Sequence, residues 1–500
     1  MKSLLISKTT FLDFLFCAKN AWLKVHRSDL GYLFVPSEFK KQLMEQGKEV
    51  DAYARNLFPG GVTVPIAVER AVAETSRFTE EKVPAIFQAT FVADGFIAKN
   101  DILAYNKKTK KWDLYEVKAN NSIKEDGAVR SHIDDLAFQV SLLKRAGVPA
   151  GKFYIIHLNK DYRKRGDLEP QKLFKTADRT EIVLKKLPEI EAKMEAAKEY
   201  LAKKEEPKGN CDCIYRGRSQ HCETFAYSND VPEYSVHDLA RIGASGDKLK
   251  ILVEQGIFRI EDIPNHIEFT SEIQFNQIQV AKSKKPIINK TEIKSALAEL
   301  KFPLYFFDYE TFAPAIPAFD GFGPYQKIPF QFSLHILEKP DAELKHSEYL
   351  HTEFSDPSEA AAKLLQKHIG AKGTIIVWNK TFEAGVNKEI GRRLPKYQKL
   401  MKRLNNMLYD LMNVFAKQHY VHHAFMGGTS IKYILPVVAS HLSYEKLNIK
   451  EGADASNAWF KMVGPIIPDR EKEDIARDLK TYCTRDTLAM YEVWKHLEEL

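Results

Sequence analysis

The sequence predicts a multi-domain α/β protein, and three observations carry that expectation. Its 500 residues exceed one compact core, because domains usually hold about 100–200 residues. The first third mixes short strand-like and helical runs, and the apolar strand PLYFFDYETF opens a second large region. Breaker-rich or lysine-rich segments, EEPKGN and AKSKKPIINK, divide the chain between them. The expected organisation is a first domain over 1–230, a helical connector over 231–290 and a second large domain over 291–500.

Hydrophobic residues make up 44% and charged residues 28%, which excludes a disordered chain or a fibre. No apolar run reaches the roughly 18–20 residues of a membrane helix. The N-terminal MKSLLISKTTFLDFLFCAKNAWL is apolar, but Lys8 and Asp13 interrupt it and no small-residue cleavage site follows. A cytoplasmic chain with no membrane partner is expected. A formal charge of +7, from 74 basic and 67 acidic residues, permits nucleic-acid binding without demanding it. Five cysteines are too few for a disulfide framework.

The elements follow in chain order. In DGFIAKNDILAYNKKTKKWDLYEVKAN two strand-like runs flank the turn NKKTKK, which predicts a hairpin. Glu116 and Lys118 are two apart on its second strand and share a face; Asp101 on the first strand can meet them there. Two carboxylates holding a divalent cation beside a lysine suit phosphodiester hydrolysis, because the metal polarises the phosphate and the lysine steadies developing charge. Spacing alone favours an exposed, charged hairpin face.

This region resembles the PD-(D/E)XK nuclease superfamily, in its RecB-like branch that includes CRISPR-associated exonucleases. Asp101 matches the central aspartate and Glu116-Val117-Lys118 the Glu-x-Lys. The resemblance implies a divalent-metal site on Asp101 and Glu116, with Lys118 catalytic. Gln139, in DDLAFQVSLLKRAG, matches the branch's motif glutamine, although Leu143 stands where a tyrosine is usual. Asp51, in GKEVD, stands where the branch often has histidine, which implies an additional ligand. Tyr162 is expected to pack or to face a phosphate.

The stretch from Ile182 to Lys204 reads as helix, and CDCIYRGRSQHC follows it. The RecB-like branch often carries an iron–sulfur cluster, with one cysteine before the nuclease core and three after it. Cys17, Cys211, Cys213 and Cys222 have that arrangement, which implies a [4Fe–4S] cluster clamping both ends of the domain. Zn2+ on all four cysteines, or on three of them with His221, is the physical rival, and free thiols remain a third reading.

From Ser235 to about Lys285 the chain reads as helical around the turn IGASG, and VHDLARIGASGDKLKILVEQGIFRIEDIP resembles a helix–hairpin–helix. Backbone amides there, with Lys248 and Lys250, would hold DNA phosphate. A plain helical hairpin between domains fits as well.

In the last region Asp308 and Glu310 share a face at the end of an apolar strand. Glu383 follows the buried-strand pattern TIIVW, and Tyr482 and Asp486 are four apart on a helix. Clustered carboxylates that hold paired metals about 4 Å apart serve in-line attack on phosphate. These motifs resemble the DEDD-type 3'-5' exonucleases of the RNase H-like fold. Asp308-x-Glu310 matches the first motif. Asn379-Lys-Thr-Phe382-Glu383 matches the second, with glutamate in place of aspartate. Tyr482-x3-Asp486 matches the third. The resemblance implies metal ligands at Asp308, Glu310, Glu383 and Asp486, a water-orienting Tyr482, and Asp410 as a possible further ligand. Cys483 is expected to be a small buried side chain.

As a whole, the chain resembles a bacterial family of fused nucleases of unknown function. The resemblance implies a nuclease using Mg2+ or Mn2+ on DNA, at single strands or ends, in repair or defence. RNA 3'-5' exonuclease activity, or nucleic-acid binding with one or both sites degenerate, are the alternatives.

Overall fold

A computed structural model describes residues 4–125, 127, 129–244 and 246–500. Ser245 of the expected IGASG turn and the first three residues of the N-terminal stretch lie outside it. The protein is a mixed α/β chain with several sheets, and it divides into two compact units. The first holds Met1–Asp230 with Pro314–Tyr325; the second holds Val231–Ala313 with Gln326–Leu500. Among the described residues no helix is long and apolar enough to cross a membrane.

The first unit is built on strands β1 (Ile6–Ser7), β2 (Val62–Thr63), β3 (Ala85–Ala93), β4 (Phe96–Asn106), β5 (Lys111–Lys118), β6 (Ala150–Leu158) and β7 (Phe174–Asp178). Their order is β2-β3-β4-β5-β6-β7, and β1 lies parallel to β4. The expected hairpin is present, with β4 and β5 antiparallel from Ile102↔Tyr115 to Asn106↔Lys111. β5 and β6 run parallel, so a crossover must join them, and the helix His132–Arg145 supplies it. That helix is buried nearly all round, from His132 to Leu143, as expected of one sandwiched in a core. The N-terminal helix Lys8–Phe16 is capped by Ser7, which accepts from Thr10 N, and its Phe11 stacks on Phe138 at 4.8 Å. Burial of each such ring contributes about 2–3 kcal/mol. The opposite face of the sheet is closed by Val50, Ala54, Ala315 and Ile316.

The expected helix after Ile182 runs Thr180–Leu201 and stops three residues early, before the breaker. Tyr162 packs: it is 5% exposed, and its hydroxyl accepts from Glu169 N at 3.3 Å.

The second unit contains β8 (Ile287–Ile288), β9 (Leu304–Phe312), β10 (Ile328–Leu337), β11 (Lys345–Leu350), β12 (Thr374–Val377), β13 (Leu408–Asp410) and β14 (Tyr420–Val421). Five strands form a sheet in the order β11-β10-β9-β12-β13. β9 is central, antiparallel to β10 and parallel to β12, which is parallel to β13. Every residue of β10 is buried, because both faces of the sheet are covered.

Two expectations need correction here. The first helix of the supposed hairpin is instead a pair of 3-10 turns, Val236–Asp238 and Ile242–Ala244. A capping box of Ser235 and Asp238 closes the first turn, and Arg241, with φ +54°, breaks the backbone between them. Only Gly246–Glu254 is α-helical, ahead of Gly256 at φ +70°. The lysine-rich segment is not a plain linker either: Ile287 and Ile288 pair with Val421 and Tyr420.

Candidate functional site

In the first unit, residues from three strands and three helices converge. Asp101 Oδ2 accepts from Val117 N at 2.9 Å, which ties the aspartate to the neighbouring strand. Glu116 is 1% exposed; its Oε1 accepts from Lys118 Nζ at 2.7 Å and its Oε2 from Gln139 Nε2 at 2.6 Å. The sequence-derived set Asp101, Glu116, Lys118 and Gln139 is therefore brought together on β4, β5 and the crossover helix. Asp51 reaches the same place through Gln88, whose Nε2 donates to Asp51 Oδ2 at 3.4 Å and to Asp101 Oδ1 at 3.3 Å. Gln88 has φ +59° and stands opposite Asp101, where the β3–β4 pairing is interrupted without a shift of register.

Three contributors here were missed by sequence reasoning: Gln88, Lys8 and Asp135. Lys8 Nζ lies 2.8 Å from Glu116 Oε1 and 3.2 Å from Asp135 Oδ1. Asp135 also pairs with Lys118, and its Oδ1 accepts from Gln139 Nε2 at 2.9 Å. Asp135 lies four residues before Gln139 on one helix, and that spacing was the available signal. Burial, then repulsion by Glu116, pushes Asp101 up to about 7. Gln139 Oε1 and Asp51 Oδ1 are buried with no hydrogen-bond partner among the described residues.

The second cluster is the cysteines. Cys17, Cys211, Cys213 and Cys222 are all buried, and their sulfurs lie within 4.8 Å of one another. Cys17 sits between the helices Lys8–Phe16 and Ala18–His26, and Cys213 in a 3-10 turn. Asn229 Nδ2 donates to Cys211 Sγ at 3.2 Å, and Arg216 Nη1 lies 3.8 Å from Cys213 Sγ. Such N–H donors suit sulfur carrying negative charge. Hydrogen bonds from Cys17, Cys213 and Cys222 hold Cys211 well below the usual thiol range. His221 is not in the set; its Nε2 bonds Arg216 O at 2.9 Å and its ring stacks on Phe225. The donor set therefore fits a metal or cluster held by four thiolates, and not the three-cysteine, one-histidine alternative.

In the second unit, Asp308 and Glu310 project from central β9, Glu383 from the helix Lys380–Arg393, and Tyr482 and Asp486 from the helix Asp469–Glu498. The last helix buries Leu479, Tyr482, Cys483, Thr487, Met490 and Val493, a stripe at helical spacing that turns Asp486 the same way. Glu310 is 6% and Glu383 2% exposed, and Glu383 Oε2 has no partner among the described residues. Desolvation, then repulsion by Glu310, Asp486 and Glu383, raises Asp308 well above the carboxylate range. Desolvation, then repulsion by Asp486, raises Glu310 likewise. Desolvation brings Glu383 to about 8 and Asp486 to about 6. The four carboxylates thus repel one another across the site, Asp308 and Glu310 being the two whose oxygens lie within 4.8 Å among the described residues, and such a group favours a divalent cation.

Asp410 caps the helix that carries Glu383, its Oδ2 accepting from Lys380 N at 2.9 Å, while its Oδ1 is buried without a partner among the described residues and its charge acts on Glu383. Cys483 is fully buried as expected, and its sulfur joins oxygens of Asp308 and Glu310 within 4.8 Å. Sequence reasoning missed Tyr444 and Lys432. Tyr444 OH donates to Asp486 Oδ1 at 2.6 Å, and the positive charge of Lys432 acts on both Glu310 and Asp486. No local spacing marks either residue.

Comparison with known proteins adds family context. A family described as "Domain of unknown function (DUF2779)" matches residues 305–430, a stretch that contains Asp308, Glu310, Glu383 and Asp410. The chain is similar to "Uncharacterized protein UU173" of Ureaplasma parvum, at 27% identity over 224 residues, covering 41% of this chain and 32% of the relative. It is also similar to "Uncharacterized protein MG366 homolog" of Mycoplasma pneumoniae, at 24% identity over 242 residues, covering 44% and 36%. "Uncharacterized protein MG366" of Mycoplasma genitalium matches at 23% over 249 residues, covering 46% and 37%. The chain spans about a third of the length of these curated relatives.

Proposed function

We propose that the chain is a metal-dependent nuclease that hydrolyses phosphodiester bonds at two sites, with DNA as the polymer. The observation that carries this reading is the second unit's carboxylate group. Asp308, Glu310, Glu383 and Asp486 come from three elements, and Glu383 Oε2 is buried without a partner among the described residues. A purely structural role does not account for such crowding, because unpaired buried carboxylates destabilise a fold. The β11-β10-β9-β12-β13 order, with two parallel strands added to an antiparallel meander, supports an RNase H-like fold for this unit. A meander, a crossover helix and a parallel strand support a PD-(D/E)XK-like fold for the first.

Mg2+ or Mn2+ held by these carboxylates would polarise the phosphate and stabilise charge on the attacking and leaving oxygens. The chain's own groups do the remainder. Lys118 places an ammonium beside Glu116, where charge develops on the phosphate. Gln139 fixes Glu116 and Asp135 through one amide nitrogen. Tyr444 OH donates to Asp486 Oδ1 at 2.6 Å, and Tyr482, one turn before Asp486 and acting on the same carboxylate, is left to orient water.

The four cysteines are read as a closed metal centre, structural in role. Bonds of about 2.3 Å to one tetrahedral ion put sulfurs about 3.8 Å apart, and Cys211 Sγ lies 3.9 Å from Cys222 Sγ. As they stand the sulfurs suit a single Zn2+; the [4Fe–4S] cluster favoured by the order of the cysteines requires them to spread. Anaerobically purified protein with absorbance near 400 nm supports the cluster, and colourless protein with stoichiometric zinc supports the ion.

Labelled single- and double-stranded DNA and RNA, incubated with Mg2+ or Mn2+, test the activity. Asp101→Ala and Asp308→Asn should each remove one cleavage pattern, and the double variant both. Cleavage of RNA alone would replace DNA as the polymer. Tight binding of either polymer without cleavage would replace catalysis with recognition.

A further inference from the structure

Lys8 belongs to no motif, yet it sits in the centre of the first site. It opens the helix Lys8–Phe16 directly after β1, whose pairing Ser7↔Ile97 anchors it to β4, the strand that carries Asp101. Its Nζ and that of Lys118 approach the same oxygen, Glu116 Oε1, at 2.8 and 2.7 Å. Both ammonium groups are shared with Asp135 as well, and two lysines between Glu116 and Asp135 bury one more ion pair than holding Glu116 alone would require, at a cost in free energy. The side chain of Lys8 keeps 23% exposure, against 2% for Glu116, so it has a path outward. Gln139, whose Nε2 donates to both Glu116 and Asp135, leaves its Oε1 buried without a partner among the described residues, an acceptor still open to a donor.

We propose that Lys8 is a substrate-contacting residue. In metal-free protein it occupies Glu116 in place of a divalent cation, and when a cation takes that carboxylate it turns to a non-bridging phosphate oxygen. The proposal rests on the metal-dependent nuclease reading. Lys8 and the cation compete for Glu116 Oε1, so by linkage removing the ammonium tightens metal binding, while the phosphate loses a charge-assisted hydrogen bond. A structural lysine gives the opposite metal result, because its loss loosens the carboxylates.

The test uses the full chain with Asp308→Asn and Glu310→Gln, which silence the second site. In that background Lys8→Met and Lys8→Gln should bind Mn2+ about tenfold more tightly by calorimetry. Their KM for an oligonucleotide should rise by about tenfold, and Lys8→Arg should stay near the parent in both. In the parent itself, acylation of Lys8, read by mass spectrometry, should rise severalfold with Mn2+ and fall again when oligonucleotide is added with Ca2+. Unchanged acylation, or Mn2+ binding unchanged or weaker in folded Lys8 variants, overturns the inference and leaves the nuclease reading in place. A parent that neither binds Mn2+ nor cleaves overturns both.

Discussion

A carboxylate surrounded by other carboxylates and stripped of water keeps its proton to higher pH, and folding then takes up protons. Burial raises Asp101 to about 7, Glu383 to about 8 and Asp486 to about 6. Each value lies above that of the unfolded chain, about 4. The stabilisation is therefore complete below about pH 4 and is lost as pH rises through 6 to 8. Asp135 works oppositely: despite the burial that would raise it, Lys118 and Lys8 hold it low, so its contribution is lost only in acid. Metal-free protein should melt at progressively lower temperature between about pH 5.5 and 8.5, and Mg2+ should offset the loss. Asp308→Asn should flatten the slope. Melting curves across that range check this, and a metal-free melting temperature that rises with pH contradicts it. At this scale the sequence exposed the residues whose partners are near in the chain: Asp308 with Glu310, Glu116 with Lys118, Tyr482 with Asp486. It hid Lys8, which is 108 residues from Glu116, and Tyr444, which is 42 from Asp486. Such pairs exist only through tertiary packing, and no spacing records them.

Whole elements were legible where a turn signal or a continuous apolar run bounded them. The lysine-rich turn NKKTKK between two strand-like runs marked β4 and β5, and the continuous apolar runs of β9 and β12 marked buried strands. The connector was legible only in part: Gly246–Glu254 and Glu272–Ser283 are helical as expected, but a helical composition does not reveal the left-handed Arg241 or the pairing of β8 with β14. One glycine shows how an element positions a site. Gly373 precedes β12 at φ +111°, and a Cβ there would lie 2.4 Å from Pro303 O and 2.8 Å from Tyr305 Cε2. Only glycine lets β12 lie against β9, and β12 leads into the helix that carries Glu383. Gly373→Ala should destabilise the second unit by about 2–4 kcal/mol and weaken metal binding there. Gly385, within that helix and with nothing within 4 Å of a Cβ, is the control. Gly385→Ala should be neutral or stabilise by up to about 1 kcal/mol. Urea unfolding followed by circular dichroism distinguishes the two, and equal midpoints would refute the close-approach argument.

Each unit of the whole molecule encloses its own core and one carboxylate cluster, but the cysteine centre belongs to the first alone. Cys17 lies near the start of that unit and Cys211, Cys213 and Cys222 near residue 230, where its main segment ends. A metal on these thiolates closes a loop of nearly two hundred residues. Closure entropy grows slowly with loop length, and a cross-link of this span restricts the unfolded chain by about 4–5 kcal/mol when the native geometry is unstrained. Hydrogen bonds from Cys17, Cys213 and Cys222 also favour the charged form of Cys211, a buried charge that a cation would neutralise. Both effects act on the first unit. Removal of the metal by a chelator, or Cys17→Ser, should therefore lower one thermal transition by several degrees or more. The transition of the second unit should not move, and Mg2+ should still raise it through the Asp308 cluster. Scanning calorimetry of the full chain, with limited proteolysis to assign each transition, reads both quantities. If chelation shifts the two transitions equally, the centre stabilises the molecule as a whole. If it shifts neither, the four sulfurs hold no metal in the folded protein.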